Sequence, residues 1–303
     1  MSYCKMDMHV HSCFSVEEVP GVPNAIFTPK ETPEEIYATA KARGMDFVTI
    51  TDHDTIEGCL RFVRRYPQRV DFVVGEEVST QLPGSTFTVH INVYGHTAAQ
   101  HEELQKRRED AFAVVEYCQS QGLAHAWNHP FYRENLSRIE EPEFMRFLDN
   151  VSVIEVRNGG RAQTLNVLAE ELAVRRNKPM QAGSDTHTGD VGGVYTAVPC
   201  QDVAGFFAGI QAQRSRIVGQ HSTRRHFLHH NLLANRRRVV DANMRRMRTP
   251  FERARLRSIG WMVFALAPWV VGRHFRAQQE MARMALARLS AFSQVNAAIL
   301  DVA

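Results

Sequence analysis

Cysteine is scarce in this chain, and the cysteine spacing argues against a disulfide-rich domain. Five cysteines stand at positions 4, 13, 59, 118 and 200, and none forms a Cys-x-x-Cys pair. Disulfide frameworks are built from an even number of cysteines at short, regular spacings. We therefore expect free thiols and a reducing compartment.

The chain also lacks a hydrophobic run long enough to cross a membrane. Its main apolar stretch, residues 259–272, is shorter than the roughly 18 to 20 residues that a spanning helix requires, and Pro268 is expected to interrupt it. A candidate metal-binding strand already begins at Lys5, which leaves no room for a signal peptide. We expect a cytoplasmic protein, with peripheral attachment to the inner face of a membrane as an alternative.

Lysine is absent from residues 221–303, where 15 arginines and four acidic residues give a charge of +11. Residues 1–220 carry 21 basic and 29 acidic groups, a charge of −8. This break predicts a catalytic domain over residues 1–220 and a basic, arginine-rich α-helical extension over residues 221–303.

The extension combines its arginines with the apolar stretch, and three roles are open. The first role is packing against the first domain or a second copy of the chain. The second role is binding to an anionic membrane surface. Nucleic-acid binding is less favoured, because few aromatic residues are interleaved with the arginines.

Histidine and acidic residues occur together in four clusters within the first 187 residues. The clusters are His9-Val-His11, Thr51-Asp-His-Asp54, Gly75-Glu-Glu77 with His90 following, and Ser184-Asp-Thr-His187. Histidine and carboxylate together are the ligand set of zinc, manganese and iron. The clusters predict a hydrolytic metal centre.

The segments around these clusters indicate alternating strands and helices. The second, third and fourth clusters each follow an apolar run that reads as a strand, and residues 32–43 read as a helix that Thr32 caps and Pro33 begins. In a barrel of parallel strands, functional residues gather at the carboxyl ends of the strands. The clusters are therefore expected to meet at one end of a β/α barrel.

The motifs resemble those of the polymerase-and-histidinol-phosphatase (PHP) superfamily of metal-dependent phosphoesterases. Six of them occur in the family's order: Asp7-x-His-x-His-Ser12, Ile50-Thr-Asp-His-Asp-Thr55, Gly75-x-Glu-Val-Ser-Thr80, His90, His129-Pro130 and Gly183-Ser-Asp-x-His187. The resemblance implies a TIM-like, distorted seven-stranded (β/α) barrel. It also implies two or three divalent metal ions, such as Mn, Fe or Zn.

The resemblance assigns roles to individual residues. One ion is expected to be bound by His9, His11, Glu77 and Asp185. Glu77 bridges to a second ion, which is held by His90 and His129. A third ion is expected to use His53 and His187, with Glu17 as a further candidate ligand. The residues expected to take part in catalysis are Glu77, Asp185 and His53.

Two neighbouring glutamates leave the strand register to be decided. The family's Gly-x-Glu spacing selects Glu77 as the ligand, and Glu76 then points to the opposite face of the strand. If the register slipped by one residue, the two roles would exchange.

Three further residues are candidates for substrate binding: Arg133, Arg157 and Asn158. Arg133 is either a phosphate clamp or a solvated arginine. Asp52 either accepts the ring proton of His53 on the side away from a metal or is a turn residue. His125 is expected in the core or behind a ligand. The histidines that match no ligand position, and are expected at the surface or in packing, are 96, 101, 221, 226, 229, 230 and 274.

The most favoured function is hydrolysis of a phosphate ester, in a phosphorylated small molecule or nucleotide, by a hydroxide held at a di- or trinuclear metal centre. One alternative is a catalytically idle scaffold that acts as a membrane-associated or oligomeric regulatory module. The second alternative is an amidohydrolase, although no lysine stands where such an enzyme would use it to bridge metals.

Overall fold

The computed structural model describes residues 2–15, 29–85, 87–132, 141–235 and 249–289. Its strands are β1 (Tyr3–Met6), β2 (Val48–Ile50), β3 (Phe72–Gln81), β4 (Thr88–Tyr94), β5 (Ala124–Trp127), β6 (Ile154–Asn158), β7 (Met180–Gly183), β8 (Val194–Pro199) and β9 (Arg216–Gly219). Its helices are α1 (Pro33–Ala42), α2 (Glu57–Arg65), α3 (Ala98–Arg107), α4 (Ala111–Ser120), α5 (Glu141–Asn150), α6 (Gln163–Arg175), α7 (Val203–Gln211), α8 (Arg224–Asn235) and α9 (Pro250–Arg288).

The larger sheet has six strands in the order β2-β3-β4-β5-β6-β7. Its pairs are parallel except that β4 runs antiparallel to both β3 and β5. The expectation that all strands of the metal centre are parallel is therefore wrong for β4. Because β4 runs antiparallel, its first residues lie beside the carboxyl ends of the neighbouring strands. His90, near the start of β4, therefore lies beside Ser79, near the end of β3.

The residues after β1 connect the two outer strands of this sheet. The carbonyl of Val10 accepts the backbone N–H of Thr51, which follows β2, and the carbonyl of His9 accepts that of Asp185, which follows β7. His11 in turn donates its backbone N–H to Thr186. The sheet is therefore curled, which confirms a mixed α/β fold with a barrel-like sheet. A complete seven-stranded barrel stays a prediction.

Alternation along β4 separates the hydrophobic core from the polar interior. Val89, Ile91 and Val93 are buried in the largest apolar cluster, together with residues of α4, α5 and α6. His90 and Asn92 point to the other face, inside the curl. The core therefore lies between the sheet and its helices, and the inner face is free to hold polar side chains.

Helix α1 begins as the sequence predicts. The Thr32 side chain accepts the backbone N–H of Glu35, the Glu35 side chain accepts that of Thr32, and Pro33 occupies the first turn. Ile36 and Ala40 are buried, whereas Ala42 is exposed. The reciprocal cap fixes the residue at which the helix starts.

Three strands form a second, antiparallel sheet in the order β1-β8-β9. Helix α7 and strand β9 are the last two elements before residue 220.

Helices α8 and α9 lie in the predicted extension. Helix α9 continues through Pro268, so the expected interruption is wrong, although proline removes one backbone donor there. Near its end, Met281, Ala282 and Ala285 are buried in the same core cluster as α6. The boundary after residue 220 stays a prediction. In the described part of the chain, no helix is both long and apolar enough to cross a membrane.

Candidate metal centre

Glu77 lies in β3 with its carboxylate at the centre of the polar interior. Its Oε2 atom is 3.2 Å from His9 Nε2, 3.4 Å from His11 Nε2 and 3.1 Å from His53 Nδ1. None of these approaches is a hydrogen bond, and Oε2 is fully buried. Ring nitrogens that converge on a buried carboxylate oxygen in this way fit a cation held between them.

The other oxygen of Glu77 faces a second group of donors. Oε1 is 2.9 Å from His90 Nδ1 and 3.3 Å from His129 Nε2. It also accepts a hydrogen bond from the Asn128 amide at 2.9 Å. The two oxygens therefore face different sets of histidines, as a carboxylate that bridges two ions requires.

Asp185 approaches His9 and His11, two of the three histidines that also lie close to Glu77 Oε2. Its Oδ1 lies 3.2 Å from His11 Nε2 and 3.5 Å from His9 Nε2. The backbone of Asp185 has φ 49°, a conformation that side chains rarely adopt, and His129 has φ 28°. Such strain persists where the surroundings impose it, and it is common at functional sites.

Gly183 allows β7 to approach this centre closely. A Cβ atom at position 183 would collide with the Cβ and backbone nitrogen of His9. The glycine of the Gly-Ser-Asp motif is therefore needed so that Asp185 can reach the His-x-His segment.

A third group of donors consists of imidazoles only. His11, His53 and His187 offer nitrogens that all lie within 4.8 Å of one another. The ring centroids of His11 and His187 are 4.3 Å apart, and those of His11 and His53 are 4.6 Å apart. His53 also belongs to a group with Glu77 and His90, so it lies between two candidate ion positions.

The structure thus brings together all eight of the expected ligands that it describes: His9, His11, His53, Glu77, His90, His129, Asp185 and His187. Glu17 and Arg133 lie outside the described residues. The role of each residue as a ligand stays a prediction.

The electrostatics favour the protonation states that ligands need at Glu77, His11 and His129 but not at His9. Burial lowers the pKa of His9, but Glu77, Asp185 and Glu155 raise it more, so it lies well above its usual range. Burial raises the pKa of Glu77, but His9, His90 and His53 lower it more, so it lies well below its usual range. Burial lowers the pKa of His129 to about 3, and Arg161 adds to this effect. Burial likewise lowers the pKa of His11 to about 4. An anionic carboxylate among neutral imidazoles is the form that binds metal.

Glu155, on β6, is a buried carboxylate that the sequence reasoning missed. Its Oε1 lies 2.9 Å from His9 Nδ1, and its Oε2 accepts the backbone N–H of His129 at 3.0 Å. A carboxylate at Nδ1 orients the ring and leaves Nε2 for a metal. The available signal was one glutamate within the apolar run from residue 151 to 156.

Arg161 was also missed, because it stands on a loop outside every motif. Its Nη2 is 2.8 Å from Asp185 Oδ2, and its guanidinium lies 3.5 Å from the centre of the Tyr132 ring. It brings a fixed positive charge to the edge of the centre.

The two described candidates for substrate binding have different positions. Asn158 is buried, and its amide donates to Glu155 Oε2 and to Asp185 Oδ2. Arg157 donates to the Gly219 carbonyl and lies 3.5 Å from Glu170, so the structure does not bring it to the cluster. Successive residues of a strand point to opposite faces, which is why only one of the two reaches the site.

Asp52 does not contact the His53 ring. Its two oxygens accept the backbone N–H and the hydroxyl of Ser12, each at 2.6 Å. Burial raises the pKa of Asp52 to about 7, although these hydrogen bonds oppose the effect. Asp52 therefore fixes the chain immediately after His11 and does not orient His53.

Comparison with known proteins relates this geometry to a family. A family model described as PHP-associated matches residues 163–215, a stretch that includes Asp185 and His187. This part of the chain is therefore similar to PHP-associated domains. No curated protein sequence matches it.

Solved structures show the same fold at low sequence identity. A two-domain protein from Bacteroides vulgatus, described as containing a predicted PHP-like metal-dependent phosphoesterase, is 18% identical with a TM-score of 0.55. The alignment covers 72% of this chain and 65% of that protein, so this chain spans less than two thirds of its length.

Two further solved structures are less similar to this chain. An amidohydrolase from Chromobacterium violaceum is 18% identical with a TM-score of 0.49, over 70% of this chain and 97% of that one. A lesion-specific endonuclease from Pyrococcus furiosus is 14% identical with a TM-score of 0.47, over 71% and 57%.

Proposed function

We propose that the protein is a metal-dependent phosphoesterase that hydrolyses a phosphorylated small molecule or nucleotide at the Glu77 centre. The observation that carries this proposal is the Glu77 carboxylate, whose two oxygens face two different groups of imidazoles. Donors of this kind suit two or three ions of Mn, Fe or Zn.

Divalent ions at this centre would supply a water-derived nucleophile near neutral pH and would neutralise the negative charge of the phosphate. The chain's own residues hold the geometry. Glu155 fixes the ring of His9, and the Asn158 amide ties Glu155 to Asp185. The centre therefore keeps its shape before substrate arrives.

Arg161 is the arginine that the structure places beside the cluster. Its side chain is 15% exposed, and it pairs with the Asp185 oxygen that faces away from the histidines. A guanidinium there is suited to bind a phosphoryl oxygen, the role that the sequence assigns to Arg133. His187 is the most exposed of the ligand candidates at 24%, which marks the side from which substrate enters.

A lysine that bridges two metals would favour the amidohydrolase alternative. The chain has lysines only at positions 5, 30, 41, 106 and 178. In the part of the chain that the structure describes, none of them contacts Glu77 or its histidines. The donor set therefore supports phosphoester chemistry over this alternative.

The test is hydrolysis by the full chain after reconstitution with Mn, Fe or Zn. A panel of phosphomonoesters and phosphodiesters is compared between the parent and Asp185→Asn, with His125→Gln as the control. His125 is buried on β5 and contacts the Leu123 carbonyl. Activity that Asp185→Asn abolishes supports the proposal, and a metal-loaded parent that cleaves nothing favours the idle scaffold.

A further inference from the structure

A second cluster of ligand-type side chains lies behind the Glu77 centre, on the other face of β3. It consists of Glu76, His96 and His101, whose donor atoms all lie within 4.8 Å of one another. Glu76 points away from Glu77 because successive side chains of a strand alternate. His96 follows β4, and His101 lies in α3.

The contacts of Glu76 are short and come from both histidines. Its Oε2 is 2.8 Å from His101 Nδ1 and accepts a hydrogen bond from the Gln105 amide at 3.1 Å. Its Oε1 is 3.0 Å from His96 Nε2. The side chains of Glu76 and His96 are completely buried, whereas that of His101 is 20% exposed.

His96 lacks the hydrogen bonds that a buried imidazole normally makes. Neither of its ring nitrogens is hydrogen-bonded, and the same is true of Glu76 Oε1 although Nε2 is close. Buried polar atoms without partners are costly, so a stable protein rarely keeps three in one place. Glu77 Oε2 is likewise buried without a hydrogen bond although three histidine nitrogens lie close to it.

We propose that Glu76, His96 and His101 form a separate metal site that binds one zinc ion or a similar transition-metal ion. Two imidazoles and one carboxylate are a common ligand set for zinc, and three protein ligands leave one position for water. An ion between His96 Nε2 and Glu76 Oε1 satisfies both atoms at once. The partly exposed edge of His101 provides the entry path.

The site joins three elements of the fold. Glu76 belongs to β3, His96 to the turn after β4, and His101 to α3, which the Thr97 and Gln100 side chains cap. A bound ion therefore fastens α3 to the strand that carries Glu77. The competing interpretation is an ion-free cluster in which the histidines only neutralise Glu76.

Zinc content distinguishes the two interpretations. The full-length parent, His101→Gln and Glu76→Gln are equilibrated with zinc, freed of loosely bound metal and compared by elemental analysis. The two substitutions affect different elements, and Glu76→Gln preserves the shape of the side chain. We expect each variant to hold one zinc ion per chain fewer than the parent.

Gln105→Leu is the matched control, because it removes a hydrogen bond to Glu76 without removing a candidate ligand. We expect its zinc content to equal that of the parent. Equal zinc content in the parent, His101→Gln and Glu76→Gln would overturn the proposal. The same loss in Gln105→Leu would also overturn it, since disturbance of the cluster alone would then explain the result.

Discussion

Glu76 and Glu77 are neighbours on β3, yet they belong to two different histidine clusters on opposite faces of the sheet. Imidazoles from several distant parts of the chain, between His9 and His129, surround Glu77. The partners of Glu76 come from one short stretch, residues 96–105. Burial raises the pKa of both carboxyls, but the neighbouring histidines lower it further, so both pKa values lie below the usual range.

This difference in sequence distance has a structural consequence. The Glu77 centre exists only when β1, β2, β4, β5 and β7 are all in place, because each positions at least one donor. The Glu76 cluster needs only β3, the turn after β4 and α3. We therefore expect the two clusters to respond differently to the same kind of change.

The sharpest comparison is the same substitution at both positions. Glu77→Gln removes the charge that faces two groups of imidazoles, and we expect kcat/KM for the best phosphoester substrate to fall on the order of 10³-fold or more. Glu76→Gln is expected to change it far less, because Glu76 faces away from the centre. Steady-state kinetics of both variants, with circular dichroism to check folding, measures the effect. An equal fall in kcat/KM for Glu77→Gln and Glu76→Gln would show that the two faces of β3 do not have separate roles.

Removal of residues 221–303 tests how far the extension stabilises the fold and each of the two histidine clusters. Met281 of helix α9 and Leu289, which directly follows it, are buried in the main core, and Gln278 accepts the backbone N–H of Ala162, next to Arg161. We expect the free energy of unfolding to fall by at least about 3 kcal/mol, since burying such a side chain contributes about 1.5 to 3 kcal/mol.

Denaturant unfolding of the full and truncated chains measures this loss. Zinc at the Glu77 centre should weaken more than zinc at Glu76, because none of the described contacts of Glu76 comes from α8 or α9. A truncated chain as stable as the parent would instead support an independent extension. Liposome flotation and light scattering of the full chain then address the predicted membrane or subunit partner.

Glu155→Gln is expected to weaken metal binding at the Glu77 centre by roughly 10- to 100-fold. The carboxylate that orients His9 through Nδ1 becomes an amide, which no longer stabilises the ring in one orientation. Competition with a chelator measures the affinity. Glu170→Gln is the control, since Glu170 is a partly exposed acid that contacts only Arg157 among the described residues. Unchanged affinity in Glu155→Gln would show that the other ligands alone position His9.

Much of the centre could be predicted from the sequence because its ligands stand in motifs with fixed spacing. The His9-x-His11 pair and the cap of α1 depend on local alternation or local hydrogen bonds, whereas the choice of Glu77 over Glu76 rests on the Gly-x-Glu spacing of the family that the sequence resembles. The mixed α/β class follows from the order of strands and helices. These features need little knowledge of how distant segments meet.

The rest depends on contacts between distant segments. The antiparallel direction of β4 is an exception, because only residues 82–87 join it to β3 and Pro83-Gly84 among them signals a turn, whereas a parallel connection needs roughly a dozen residues or more. Glu155 reads as an isolated acid until β6 is placed beside His9. His96 was expected at the surface or in packing, and its burial against Glu76 appears only when α3 folds over β3.

The smallest expected effect concerns the charge of the Glu76 cluster without metal. The hydrogen bond from His101 to Glu76 raises the pKa of His101, although burial opposes this. A histidine whose folded pKa lies above its unfolded value stabilises the fold fully below the unfolded pKa of about 6.5, and this contribution is lost as pH rises through the folded pKa. Glu76 stays ionised at pH 5.5, because its pKa is lowered.

In chelator-treated protein, His101→Gln should therefore lower the Tm more at pH 5.5 than at pH 9. The difference is small because the His101 side chain is partly exposed and water screens the pair. With excess zinc, His101→Gln should instead lower the Tm more at pH 9 than at pH 5.5, since metal binding requires neutral histidine and is strongest at the higher pH. A Tm difference between parent and variant that is the same at both pH values would show that the charge of His101 does not contribute to stability beside Glu76.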